Sequence, residues 1–251
     1  MRRLSFVCAV LTGLSGAALA DPAPLVLATG DDYPPLTAKS LPEGGLASEL
    51  VRRAFERSGH KVGELQWVPW KRAMESARRG AIDGTFPWGD TAERRKDLLF
   101  SAPFLPFAQH AWIRLGTGYL PKSKTDLPGR SYCNPAGYGD FGMITELLAE
   151  GALTRVTPKN MTAYFKMLFK GRIDMVIATP IEAEAAIAEA GVPIGAVSRS
   201  GLEVDNSPHH LVVGKSHPRG AEIIAAFDAG LAKLEASGEL VKIKTRHGWR
   251  D

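Results

Sequence analysis

One piece of punctuation occurs twice in the chain, and it constrains the fold more than any other feature. Gly80-Ala81-Ile82-Asp83 and Gly171-Arg172-Ile173-Asp174 each stand between a helical pattern and a strand pattern. Before the first copy, Lys71 to Arg79 consists of good helix formers, with Ala73, Met74 and Ala77 on one apolar face against Arg72, Arg78 and Arg79. A glycine directly after such a run suits a helix end that needs a left-handed residue. Ile82 to Phe86 then alternates as a short strand, and Pro87-Trp88-Gly89-Asp90 reads as a break. Thr91 is a good N-cap for a further helix, with Glu93 in its first turn and Arg94 and Arg95 close behind. Before the second copy, Asn160 to Lys170 is amphipathic; after it, Met175-Val176-Ile177-Ala178 is a continuous apolar strand. Any α/β protein has glycines at helix ends, but a repeated helix–Gly-x-x-Asp–strand unit points to two similarly built lobes.

The first twenty residues read as a secretory leader. Arg2 and Arg3 precede the apolar run Leu4 to Leu14, and Ala18-Leu19-Ala20 forms a cleavage site before Asp21. The run is too short for a permanent membrane span. Cys8 leaves with the leader, so Cys133 is the lone thiol of the mature chain and no intramolecular disulfide is available. Its strand-like setting, Arg130-Ser131-Tyr132-Cys133, fits a buried residue better than a nucleophile. About 230 mature residues suit either one α/β domain or two smaller lobes. The net charge is +4, or +2 without Arg2 and Arg3, so nothing in it demands nucleic acid. The basic runs Lys166, Lys170, Arg172 and Lys242, Lys244, Arg246 fit solvated helix faces.

Leu25 to Thr29 is a strand leading into the loop Gly30-Asp31-Asp32-Tyr33-Pro34-Pro35-Leu36. Ligands collect after the carboxyl ends of strands in α/β sheets, so Tyr33 is well placed to face one. Glu49 to Ser58 is a helix, Gln66 to Trp70 ends an irregular strand region, and Gln109 to Leu115 is again a strand. Ser131 to Asn134 opens the second lobe. The glycine-rich turn Pro135 to Asp140, containing Tyr138, then precedes a helix from Phe141 as a candidate anion cradle, matching neither a Walker loop nor a dinucleotide fingerprint. Pro180 to Glu189 is an alanine-rich helix, Leu211 to Pro218 a strand and turn, and Gly220 to Ser237 a final helix before a basic end. The lobes implied are residues 21–110 with 207–251, and 111–206.

Several short pieces, in this order and spacing after a leader, carry a family resemblance. They are Tyr33-Pro34-Pro35-Leu36, Gly45-Leu46-Ala47-Ser48-Glu49-Leu50, Trp70-Lys71-Arg72-Ala73 and Gly80-Ala81-Ile82-Asp83-Gly84. Thr91-Ala92-Glu93-Arg94 with Phe100-Ser101-Ala102-Pro103, and Gly171-Arg172-Ile173-Asp174, complete the set. Essentially all of the mature chain resembles a periplasmic solute-binding protein of family 3, the polar amino acid-binding type. The resemblance implies a two-lobed α/β fold of the type II periplasmic-binding-protein kind, with two crossings and a central cleft. It also implies a monomer without cofactor, a small-molecule solute, and an ABC permease as membrane partner. By resemblance Arg94 holds the solute's carboxylate, for which a planar guanidinium fork is suited. Arg95 reads as an exposed helix arginine. Tyr33 and Trp70 fall where the family places aromatic walls, with Trp67 as the core member, and Arg72 and Tyr138 are further lining candidates.

The departures bear on the solute. Where the family carries hydroxyl residues before Thr-x-x-Arg, this chain has Phe86-Pro87-Trp88-Gly89, which makes Trp88 a lining candidate. Where the family carries an acid for the α-ammonium, Thr179 is neutral, and Glu182 is the nearest substitute. The expected solute is a small polar carboxylate-bearing molecule, an amino acid or related organic acid. Because a buried ammonium without a countercharge is expensive, the departures point to an acid lacking the α-amino group, or to another small polar molecule. The alternative is an enzyme on the same scaffold, a cyclohexadienyl dehydratase-like lyase, with His110, His209, His210 or Glu182 as acid–base candidates. The adjacent His209 and His210 point to opposite faces of a strand and lack further metal ligands.

Overall fold

The computed structural model describes residues 23–134, 140, 142–158 and 160–249; the leader and the turn carrying Tyr138 lie outside them. The chain opens with β1 (Leu27–Thr29), α1 (Leu46–Arg57), β2 (Gln66–Trp67), α2 (Trp70–Arg78), β3 (Gly84–Gly89), α3 (Arg94–Asp97) and β4 (Leu98–Phe100). Next come β5 (Ala108–Arg114), β6 (Arg130–Cys133), α4 (Gly142–Ala149), β7 (Leu153–Val156), α5 (Met161–Phe169), β8 (Met175–Ala178), α6 (Pro180–Ala190) and β9 (Val197–Asn206). The chain then adds β10 (His209–Gly214), α7 (Gly220–Ala236) and α8 (Glu239–Arg246).

These strands form two five-stranded sheets, ordered β2-β1-β3-β10-β4 and β7-β6-β8-β5-β9. In the first, β1 runs parallel to β2 and β3, and β10 is antiparallel to β3 and β4. In the second, β6 runs parallel to β7 and β8, and β5 is antiparallel to β8 and β9. The plan is the same in both. The chain passes between the sheets twice, through 101–107 and at 207–208, which makes a two-lobed α/β fold.

The repeated Gly-x-x-Asp has one job in both places. Gly80 and Gly171 follow α2 and α5 with φ of +66° and +65°, the left-handed region that glycine enters freely. The aspartate then reaches back to the neighbouring parallel strand. Asp83 N–H donates to Val26 O at 2.8 Å, and its Oδ2 accepts from Val26 N at 2.7 Å. Asp174 N–H donates to Ser131 O at 3.1 Å, and its Oδ2 accepts from Ser131 N at 2.8 Å and Oγ at 2.7 Å. Each aspartate thereby ties the entry of one strand to the start of its neighbour, next to β1 in one lobe and on β6 in the other.

Several elements differ from the sequence reading, among them β4, where no strand was expected. β3 continues through Pro87-Trp88-Gly89 instead of breaking there. β1 pairs only with Gly84 and Thr85, and the register with β10 slips between His210 and Val212, so the missing Pro87 N–H removes no ladder bond there. The basic C-terminal segment is the helix α8, and β9 is a ten-residue strand where no element was expected.

One apolar core joins the first sheet to α1, α2, α7 and α8. Gly230 of α7 sits against α1 so closely that a β-carbon there would lie 1.7 Å from Ala54 O. α8 is held to α1 by Glu49, 2% exposed, which accepts from His247 Nε2 at 2.7 Å and also pairs with Arg246. The second sheet alternates its residues between two cores. Val176 and Ala178 face Phe165, Leu168 and Ala183, while Met175 and Ile177 face Ile144 and Leu147.

Candidate functional site

The segments 30–37, 90–94 and 179–182 follow the carboxyl ends of β1, β3 and β8, where α/β sheets collect ligands. Three aromatic side chains meet there. The Tyr33 and Trp70 ring centroids are 5.9 Å apart and those of Trp70 and Trp88 5.3 Å, both edge-to-face, and all three residues are buried. Trp70 opens α2, and its Nε1 donates to Asp32 Oδ1 at 2.6 Å. The indole lies so close to Gly30 that a β-carbon there would come within 2.2 Å of it. Trp88 Nε1 donates to Thr85 Oγ1 at 3.0 Å. The rings are therefore fixed by their polar edges. Trp67, expected as the core tryptophan, is only half-buried, because α2 begins at Trp70 and turns that residue inward instead.

Arg94 adds the charge. Its backbone N–H donates to Thr91 Oγ1 at 3.1 Å, although α3 begins only at Arg94 and its N-cap position is Glu93, not the expected Thr91. Its Nη1 donates to Gly89 O at 2.7 Å, and its guanidinium lies 4.9 Å from the Trp88 centroid. Burial lowers its pKa to about 10; Glu93 and Asp90 oppose the shift and Arg78 adds to it. This is a cation partly stripped of water, which favours a carboxylate partner. Arg95 is exposed and pairs with Asp90, and Arg72 is exposed on α2.

From the second lobe, Thr179 caps α6 and forms a capping box with Glu182. Glu182 Oε2 accepts from Thr179 N at 2.9 Å and from Thr179 Oγ1 at 2.6 Å. Its other oxygen, Oε1, is buried with no hydrogen-bond partner among the described residues. Burial pushes the carboxyl pKa up, while hydrogen bonds from Thr179 and the Tyr33 hydroxyl pull the other way. Tyr33 thus faces an acid of the opposite lobe. Its hydroxyl is also 3.5 Å from His209 Nε2.

The sequence reading missed several neighbours of this cluster. His209, an acid–base candidate in the sequence, packs edge-on to Phe107 at 4.0 Å. Burial, then His210 and Arg94, lower its pKa to about 3, so it is neutral at any physiological pH. The Tyr164 hydroxyl of α5 is buried without a partner among the described residues, and it is near enough to Asp32 for that charge to raise its pKa further beyond the effect of burial. Asp32 and Gly30 carried a signal, because a loop after a strand with glycine and paired acids marks a ligand face. His210 turns away, with Nδ1 2.7 Å from Ser101 O, so the two histidines share no site. His110 lies on β5 opposite Ala178, with its pKa lowered chiefly by burial. Burial pushes the Cys133 thiol up to about 12, which suits an inert core residue. Among the described residues no group of His, Cys, Asp and Glu is placed to hold a metal ion, and no helix is long and apolar enough to cross a membrane.

No curated protein sequence matches the chain. Solved structures match it over most of its length. An ancestral arginine-binding protein bound to arginine aligns with a TM-score of 0.74 at 22% identity, covering 90% of this chain and 98% of that one. The amino acid ABC transporter substrate-binding protein AbpA of Streptococcus pneumoniae, bound to L-arginine, aligns with a TM-score of 0.70 at 20% identity, covering 89% and 94%. A histidine kinase sensor domain with similarity to periplasmic binding proteins aligns with a TM-score of 0.74 at 20% identity, covering 90% and 96%. These likenesses establish the periplasmic-binding-protein fold. The family model of bacterial extracellular solute-binding proteins, family 3, matches residues 25–249, which takes in both sheets and every helix described above. The chain belongs to the bacterial extracellular solute-binding proteins of family 3, and its role is to bind a solute.

Proposed function

We propose that the protein is a periplasmic receptor that captures a small polar solute bearing a carboxylate and delivers it to an ABC-type permease. The single observation that carries this reading is Arg94, a partly buried cation beside an aromatic wall at the carboxyl end of β3. In this reading the lobes, 21–110 with 207–251 and 111–206, close over the solute as a monomer. Tyr33, Trp70 and Trp88 wall the solute, and Thr179 acts by orienting Glu182. The Oε1 oxygen of Glu182 supplies the countercharge that Thr179 lacks, which favours a solute carrying an amino or other cationic group over the amino-free acid expected from Thr179 alone. The two arginine-bound relatives support an amino acid-like solute.

The test is a thermal-shift and calorimetric screen of the mature chain against amino acids and the matching acids without the amino group. Stabilisation by the amino-bearing set is expected; indifference to both sets would overturn the reading. A lyase of the cyclohexadienyl dehydratase kind is the second reading, favoured by one observation: the buried Glu182 carboxyl, with its raised pKa, faces Tyr33 across the cleft. Product formed from a prephenate-like cyclic acid, and lost in Glu182→Gln, would replace the receptor with the enzyme.

A further inference from the structure

The opposite end of the second sheet carries another pocket. Arg130 opens β6, Ile173 and Asp174 lead into β8, and the antiparallel β5 ends at Arg114. The four residues of β8, at about 3.3 Å each, separate this end from Thr179 and Glu182 by ~13 Å. A cavity of about 520 Å³ lies there, within the size range of small-molecule sites. Its walls include Arg114, Tyr119, Asp126, Arg130, Asp174 and Gly171.

Four of those residues are charged, and three are already engaged. The Arg130 guanidinium lies 4.3 Å from the Tyr119 centroid and 3.3 Å from Asp174 Oδ1. Asp174 Oδ2 takes the Ser131 bonds described above, and Asp126 Oδ2 accepts from the backbone of Lys122 at 2.8 Å and Ser123 at 2.9 Å. Arg114 is different. Its guanidinium makes no ion pair or hydrogen bond among the described residues. It rests on Gly171, where a β-carbon would stand 3.1 Å from its Nη2, so the absence of a side chain there leaves room for it. Leu120, exposed, and the edge of Ile173 give the pocket an apolar side; its walls carry two arginines and two aspartates, of which the Arg114 side chain alone has no ion-pair or hydrogen-bond partner among the described residues.

We propose that this pocket is a second ligand site, independent of the cleft, for a small organic carboxylate with an apolar part. Arg114 forks the carboxylate, and Leu120 and Ile173 face the apolar part. The test is an amide NMR titration of the labelled mature chain with benzoate as probe and benzylamine as the opposite-charge control. Benzoate is expected to shift residues 114–120, 130 and 171–174 with benzylamine inert there. Arg114→Gln is expected to weaken benzoate about tenfold, as loss of a charged hydrogen-bond partner does, and Arg114→Lys less. Arg94→Ala is expected to leave these shifts unchanged. Arg114 is exposed, so its variants are expected to melt with the wild type. Benzoate shifts confined to the cleft, equal affinity in Arg114→Gln, or benzylamine binding as well as benzoate would each overturn the proposal.

Discussion

Replacing Glu182 with glutamine separates two roles that the wild-type residue combines. The side chain is 3% exposed, and one oxygen holds the Thr179 capping box while the other has no partner among the described residues. Glutamine keeps the capping acceptor and removes the charge that burial disfavours, and its amide can still face the Tyr33 hydroxyl that bonds the carboxyl in the wild type. Leaving a buried polar group unpartnered costs about 1–3 kcal/mol, so removing the charge should stabilise the ligand-free protein by about 1–2 kcal/mol near pH 8. At roughly 2–4 °C per kcal/mol for a chain of this size, the melting temperature should rise by about 2–8 °C. Glu182→Ala, which loses the capping acceptor, should instead cost about 1 kcal/mol.

The pH dependence has a definite sign. A carboxyl whose folded pKa lies above 4.5 stabilises most below that value, and the contribution falls as pH rises through the folded pKa. The gap between Glu182→Gln and wild type should therefore widen from pH 4.5 upward. Urea and thermal melts of wild type and both variants at pH 5 and pH 8 measure it. If Glu182→Gln is destabilised like Glu182→Ala at pH 8, or its gap ignores pH, the carboxyl raised by burial is refuted.

Glu49 should behave in the opposite way. Burial alone would raise its pKa, but hydrogen bonds and charge from His247 and Arg246 hold it below 4.5, so its contribution is present above that pH and lost as pH falls through it. Glu49→Gln should cost about 2–3 kcal/mol at pH 7, because a buried partner is removed while Arg246 stays solvated, and much less at pH 3; urea melts at both values check this. Gly230→Ala should cost about 1–3 kcal/mol or more, since its β-carbon meets the Ala54 carbonyl and α1 must move; a melting temperature equal to the wild type would contradict that packing.

The parts legible in the sequence were those set by local backbone physics. Gly80 and Gly171 announce left-handed helix ends, because that requirement is met within a few residues, whereas α3 starts two residues later than a cap at Thr91 implies. What Asp83 and Asp174 do was not legible, since their partners Val26 and Ser131 lie far away in the chain. The Thr179-x-x-Glu182 spacing is that of a capping box, which makes the two residues one unit and not two alternatives for one role. Trp67 is only half-buried and Trp70 is the more buried of the two, because the start of α2 decides which indole turns inward. A proline reads as a breaker, so the continuation of β3 through Pro87 is hidden in the sequence, and only the slipped register opposite it shows that no bond is missed. The meeting of Arg94, His209, Tyr33 and Glu182 depends on how the two lobes face each other, which no single segment records.

Titration calorimetry of wild type, Arg94→Ala and Arg95→Ala, using the tightest solute from the screen, addresses the carboxylate role directly. Truncating one partner of a buried charge-assisted pair costs ~2–5 kcal/mol, so Arg94→Ala should lose roughly thirtyfold to several-thousandfold in affinity. Arg95, exposed and paired with Asp90, should change binding little when truncated. Undiminished affinity for a carboxylate-bearing solute in Arg94→Ala would contradict the assignment of Arg94 and, with it, the proposed binding mode.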